Sequence, residues 1–268
     1  MNFKKVSVII PSYNRFKFLL HAIKSVKEQT HKNVQIIVIN DASTEKEYKE
    51  FNFEELGVYI IHLEENSYKK FGYSNLGYVR NQGIQKATGD YVAFLDDDDY
   101  WLPTKLEEQL RAMDTYDCKM SSTNGYFTNW GKEGGLFDIN KIDTYKNIYN
   151  FNSIFSRYLS IPKTCNDNDS CLIEGKLIRG FDNADNLDKG CPNIFISSSV
   201  IVDRKILNDS DNYSERPPSG EDIETWIKIL KYTQCVIVNR PLMYYDTSHG
   251  YGRQWKPSAK SRWKPPAC

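Results

Sequence analysis

The chain has 268 residues, with 35 Lys and Arg against 35 Asp and Glu, enough length to bury the core of one large domain. With no net charge, nothing global draws it to a polyanion, so a nucleic-acid binder is disfavoured and any charge-based function is local. Six cysteines without CxxC spacing argue against a zinc cluster or a dense disulfide scaffold, and no apolar run reaches transmembrane length.

The opening MNFKKVSVIIPSYNR has a short apolar run ended by a proline and no cleavage pattern, so it reads as a first strand, 6–11, rather than a signal peptide. Apolar residues at helical spacing predict a helix over 18–30, and QIIVIND at 35–41 predicts a second strand that ends on an aspartate. A short helix is expected over 46–55, a third strand at 58–63 and a polar loop at 64–75. A helix over 76–89 should end at Gly89, followed by a fourth strand at 91–95 and a helix over 103–116 with Pro103 in its first turn. This βαβαβαβ order predicts an α/β domain with a mostly parallel sheet. In such sheets, ligands bind outside the carboxyl ends of the strands, where polar residues recur at 11–15, at Asn40 and Asp41, and at Asp96 to Asp99.

Beyond residue 116 the pattern is less regular. A strand with loops is expected at 120–135, a helix at 143–160, loops with a short strand at 162–188, and a strand leading to a turn or short helix at 193–207. Residues 221–232 read as a helix with Ile223, Trp226, Ile227 and Leu230 on one stripe, and 236–245 as a last pair of strands. From Thr247 the chain carries five Lys or Arg, no acid, three prolines and two tryptophans. This 247–268 tail is expected to lie outside a domain spanning 1–246, with 1–105 as the nucleotide-binding part and 106–246 as the acceptor-binding part.

The run Asp96 to Asp99 places four carboxylates directly after a buried strand. Adjacent carboxylates repel, and burial raises their pKa unless cations or donors compensate. One aspartate could cap the helix near Pro103, but a cap explains one residue of four. A divalent cation explains more, since Mg²⁺ and Mn²⁺ bind through one or two carboxylates with substrate phosphates completing the shell. The spacing of a calcium loop, a Walker A motif and G-x-G-x-x-G are all absent.

VSVIIPSYNR at 6–15, VINDAS at 38–43, VRNQGIQKATGDYVAFLDDDD at 79–99 and GED at 220–222 resemble, in order, the motifs of family 2 glycosyltransferases with the GT-A fold. The resemblance implies an inverting transfer of a sugar from a nucleotide sugar, with UDP favoured as its base, to an acceptor hydroxyl, aided by Mn²⁺ or Mg²⁺. It implies that Pro11, Tyr13 and Arg15 surround the nucleotide base, that Asp41 meets the uracil or ribose, and that Arg80 approaches the base or diphosphate. Asp96 would reach the ribose, Asp97 would fill the variable place and Asp98 would hold the metal. Asp99 would cap the next helix or touch the metal through water, and a one-residue shift would exchange Asp98 with Asp97 or Asp99.

Asp222 would be the general base, with Glu221 orienting acceptor or base; both would equally suit the first turn of a helix, where the dipole favours acids. Trp226 would face the sugar or the helix core. His249 would be a further metal ligand and Arg253 a diphosphate contact. The acceptor would be a saccharide, a lipid-linked group or a protein, and nucleic acid is not expected as a partner. A cytoplasmic protein with peripheral membrane contact through its basic tail is the matching expectation. Two other readings stay open at the level of sequence, a nucleotidyltransferase that makes a nucleotide sugar and a non-catalytic nucleotide-sugar-binding domain.

Overall fold

The computed structural model describes residues 4–128, 171–173, 195–215 and 220–246. Strand β1 (Val6–Ser12) lies between β2 (Val34–Asn40) and β4 (Tyr91–Phe94), and β3 (Val58–His62) extends the sheet beyond β2, all four in parallel. β1 and β2 are short runs rich in Val and Ile because their faces are largely covered. Val8, Ile9, Ile37, Val38, Ile39, Val92 and Phe94 are fully buried. The sheet continues from β4 through β8 (Ile201–Asp203), β6 (Met120–Thr128), β9 (Cys235–Asp246) and β5 (Tyr100–Trp101), with β7 (Cys171–Ile173) also paired to β9. Among the described residues of this half, only β6 and β9 run parallel.

Helix α1 (Phe16–Lys27) follows β1 and buries Leu19, Ala22, Ile23 and Val26, one stripe at helical spacing. Helix α2 (Glu47–Glu50) is a single turn. The predicted loop at 64–75 contains a further helix, α3 (Ser67–Phe71), capped by the Asn66 side chain and ended by Gly72 at φ +78°. Helix α4 (Leu76–Ile84) stops short of Gly89. Gly89 does not cap that helix; it packs on β1, where a Cβ would fall 2.7 Å from Lys5 O and from Ser7 N. Helix α5 (Lys105–Thr115) starts after Thr104, so Asp99 does not cap it.

The 193–207 segment is shorter in strand than expected. A 3₁₀ turn (Ser197–Ser199) precedes β8, and helix α6 (Arg204–Asp209) follows, capped by Asp203. Helix α7 (Glu221–Leu230) matches its expectation and starts from Gly220 at φ +116°. The expected last strand pair is one strand, β9. Pro241 has no N–H to give the ladder, and the chain accommodates it by a bulge, the pairing passing from Thr123↔Val238 to Asn124↔Pro241. The Thr123 hydroxyl donates to Arg240 O at 2.8 Å, which satisfies a carbonyl of the bulge. No helix among the described residues is long and apolar enough to cross a membrane. The predicted helix at 143–160 and the 247–268 tail lie outside the described residues.

Candidate active site

The carboxyl ends of β1, β2 and β4 converge on the aspartate run. Asp96 to Asp99 form a tight turn, closed by Asp99 N donating to Asp96 O at 3.1 Å, with Asp97 and Asp98 at its apex. Arg15, at the start of α1, donates through Nη1 to Asp97 Oδ1 at 3.1 Å and to Asp98 Oδ2 at 2.7 Å. Ser12, the last residue of β1, donates to Asp97 Oδ2 at 2.7 Å. That uses the one proton of Ser12, so the Tyr48 phenol is the donor in its contact with Ser12 Oγ while accepting from Arg15 N at 3.1 Å. Burial pushes the Tyr48 phenol up, which keeps that proton in place.

Charge at this turn is unevenly compensated. Burial pushes Asp98 and Asp99 well above the usual carboxylate range; Arg15 pulls Asp98 back, while neighbouring carboxylates, including Asp246, push it further up. Asp97 is also raised by burial, against Arg15 and the Ser12 bond. For Arg15, burial opposes the charge, and Asp97 and Asp98 more than offset it, so the guanidinium stays charged. Among the carboxylates here, Asp97 and Asp98 pair with Arg15, and Asp96 pairs with Arg80.

The donors of this cluster are carboxylate oxygens, the hard type that suits Mg²⁺ or Mn²⁺. Among the described residues no group of three or more His, Cys, Asp or Glu side chains is placed to hold a metal ion. The fit is therefore to an open site, in which a carboxylate such as that of Asp98 would share the ion with substrate oxygens. His249 and Arg253 lie outside the described residues.

Arg80 has a different place from the one its motif suggests. It is 2% exposed, donates through Nη2 to Asp96 Oδ1 at 2.6 Å, and lies 4.8 Å over the Tyr213 ring. Enclosed in this way, it supports Asp96 from behind and is not on the surface of the cleft. Asp41 is likewise buried; Oδ1 accepts from Ser67 N and Oδ2 from Ser67 Oγ, each at 2.7 Å, with Asn66 Nδ2 at 3.0 Å. Burial raises its pKa to about 6 against the bonds from Ser67. Asn40 turns its side chain to Ser43 N and to His62 Nδ1. Pro11 is buried within β1 opposite Ile39, and Tyr13 follows at the half-buried end of the strand.

Glu221 and Asp222 open α7, both half-buried, and Asp222 Oδ1 accepts from Ile223 N at 2.8 Å. They lie near enough to Arg80 and Tyr213 to act on them electrostatically, Glu221 on both and Asp222 on Tyr213. The GED segment is thereby brought to the Asp96 side of the cleft. Trp226 is fully buried, with Nε1 donating to Phe195 O at 3.1 Å, so it belongs to the core and is no sugar platform.

Several supporting residues had no signal in the motif reading. Tyr213 packs edge-on against Phe94 and Trp226 and shares a 2.7 Å hydrogen bond with Ser197 Oγ. Asn81, beside Arg80 in the VRNQG motif, clamps the Tyr213 backbone through its carbonyl at 2.9 Å and its N–H at 3.0 Å. Asp246 N donates to Asp99 Oδ1 at 2.9 Å. The Asn and Gly flanking 67–71 were a legible cap signal for α3; the partners of Tyr213 and Asp246 were not legible.

A protein described as an uncharacterized glycosyltransferase from Rickettsia bellii (strain RML369-C) is 42% identical over 122 residues, 45% of this chain and 16% of that protein. The UDP-Glc:alpha-D-GlcNAc-diphosphoundecaprenol beta-1,3-glucosyltransferase WfaP of Escherichia coli is 34% identical over 122 residues, 45% of this chain and 46% of WfaP. The chain thus spans less than half the length of either relative. The crystal structure of S. aureus TarS 1-349 in complex with UDP superposes with a TM-score of 0.61 at 19% identity, covering 90% of this chain and 60% of TarS 1-349, which shows a shared GT-A-type fold. The sequence profile described as glycosyl transferase family 2 matches residues 7–169, and the chain belongs to that family.

Proposed function

We propose that the chain transfers a sugar from a nucleotide diphosphate sugar, UDP-linked, to an acceptor hydroxyl with inversion at the anomeric carbon. The observation that carries the reading is the convergence of Ser12, Arg15 and the Asp96–Asp99 turn at the carboxyl ends of adjacent parallel strands, where open α/β sheets bind nucleotides. UDP is supported by the relative named for UDP-Glc and by TarS 1-349, whose structures contain UDP and UDP-GlcNAc.

In this reading Tyr13 and Arg15 border the nucleotide, Asp96 binds the ribose and Asp98 holds Mg²⁺ or Mn²⁺. The metal, when bound, offsets the charge that grows on the leaving diphosphate. Arg80 holds Asp96 in place through the bond from Nη2 to Oδ1. Asp222 accepts the proton of the acceptor hydroxyl, and Glu221 orients the acceptor. The half-buried position of Asp222 near Tyr213 supports that role. The acceptor class suggested by WfaP is a lipid-linked sugar diphosphate. Incubating the protein with a panel of UDP-, GDP- and TDP-sugars and Mn²⁺, and following nucleotide release chromatographically, tests the donor. Release from UDP-sugars is expected; no release and no binding across the panel would overturn the reading.

A further inference from the structure

The 3₁₀ turn Ser197–Ser199 is hydrogen-bonded on several sides. Ser197 Oγ meets Tyr213 OH, Ser198 O accepts from Trp101 Nε1 at 2.8 Å, and Ser199 O accepts from Gln109 Nε2 at 2.9 Å. Within the turn one hydroxyl is distinct. Ser198 Oγ accepts the backbone N–H of Asp96 at 3.0 Å and donates its proton to Asp99 Oδ2. It therefore bridges both ends of the aspartate turn, and Ser198 is fully buried.

We infer that Ser198 is a positioning residue for the donor site, acting through the aspartate turn; this rests on the nucleotide-sugar reading above. The turn Asp96–Asp99 carries Asp97 and Asp98 at its apex, and its direction depends on how its two ends are held. Inside the turn, the bond from Asp99 N to Asp96 O closes the loop. Outside it, Ser198 ties the first residue's backbone and the last residue's side chain to β8's approach. Asp246 N ties the other oxygen of Asp99 to the end of β9. A hydroxyl is required at 198 because it must accept and donate at once; a methyl group does neither and leaves a buried carboxylate oxygen short of a donor. The loss falls on the orientation of Asp96 and Asp98, the carboxylates that face the nucleotide.

Ser199 provides the control. It is equally buried in the same turn, but its hydroxyl bonds Ser122 Oγ at 2.7 Å and Ile196 O at 2.6 Å, away from the aspartates. UDP binding with Mn²⁺ would be measured by calorimetry on wild type, Ser198→Ala and Ser199→Ala, alongside thermal melts. Ser198→Ala should bind at least about tenfold more weakly, the worth of one buried hydrogen bond, while Ser199→Ala stays within about twofold of wild type at a similar loss of Tm. If Ser198→Ala does not fold, Ser198→Cys, which keeps a side chain of the same connectivity, is slightly larger and weakens the donor, is read in the same way. Wild-type affinity in the Ser198 variant, or an equal loss in Ser199→Ala, overturns the inference alone. A wild-type chain that binds no nucleotide removes the donor-site reading and this inference together.

Discussion

At Asp98 the carboxylate stands at the apex of a turn and shares Arg15 with Asp97. Removing it leaves Arg15 its ion pair with Asp97, so the strand end should keep its form while the metal loses a ligand. Asp98→Ala is therefore expected to melt cooperatively and to lose the Mn²⁺-dependent part of UDP binding, read by calorimetry with and without the metal. Equal metal dependence in the variant would place the ion elsewhere. Asp41 makes a different prediction, one of stability. Its folded pKa of about 6 exceeds the ordinary 3.8 because burial favours the neutral form. The stability it contributes is whole below the unfolded value and is lost as pH rises through about 6. Asp41→Asn, which cannot ionise, should gain on wild type between pH 3.5 and pH 8 by no more than about 3 kcal/mol, read from urea denaturation at each pH. A difference that stays flat over that window would show a carboxylate as well stabilised in the fold as in water.

Helix α4 shows how an element sets the site. It is short, but it carries Arg80 to Asp96 and Asn81 to Tyr213, and it lies close on the sheet because Gly83 has no side chain. A Cβ at Gly83 would come within 2.7 Å of Ile39 Cδ1 and 2.9 Å of Ile9 Cγ2. Gly83→Ala should therefore destabilise by about 1 to 3 kcal/mol through overpacking, despite the better helix propensity of alanine, and shift the denaturant midpoint downward. An unchanged or raised midpoint would mean that the two isoleucines yield at no cost. The helices and strands with a clear apolar period, such as α1 and β1 to β4, were legible in the sequence. The end of α4 was not, because Gly89 looked like a cap while its contact with the β1 backbone depends on the neighbouring strand. Nor was β9 legible as one strand, since Pro241 ends a strand by local rules and only its pairing with β6 tolerates the bulge.

For the molecule as a whole, the sheet joins two halves to which the proposed function assigns different tasks. The parallel half, β3-β2-β1-β4, presents the residues assigned to the donor, and the half beyond β4 leads to α7 with Glu221 and Asp222. If the base belongs to the second half, donor binding and transfer should separate on mutation. Asp222→Asn is expected to bind UDP as wild type does while transfer falls by about a hundredfold or more, the usual worth of general base catalysis; wild-type turnover would remove Asp222 as the base. The division into strand ends and acids was readable from residues 6–15, 38–43 and 79–99, and from GED at 220–222. Local runs alone determine which segments are buried strands and which residues stand at their carboxyl ends, because alternation, period and turn residues act over a few positions. Only the tertiary structure decided what those residues touch. Ser198 meets Asp99 across 99 residues, Asp246 meets the same carboxylate across 147, Arg80 withdraws behind Asp96, and Trp226 turns into the core. Such partners follow from how the sheet closes and which hydroxyl or N–H then faces a buried carboxylate, and no local pattern encodes that.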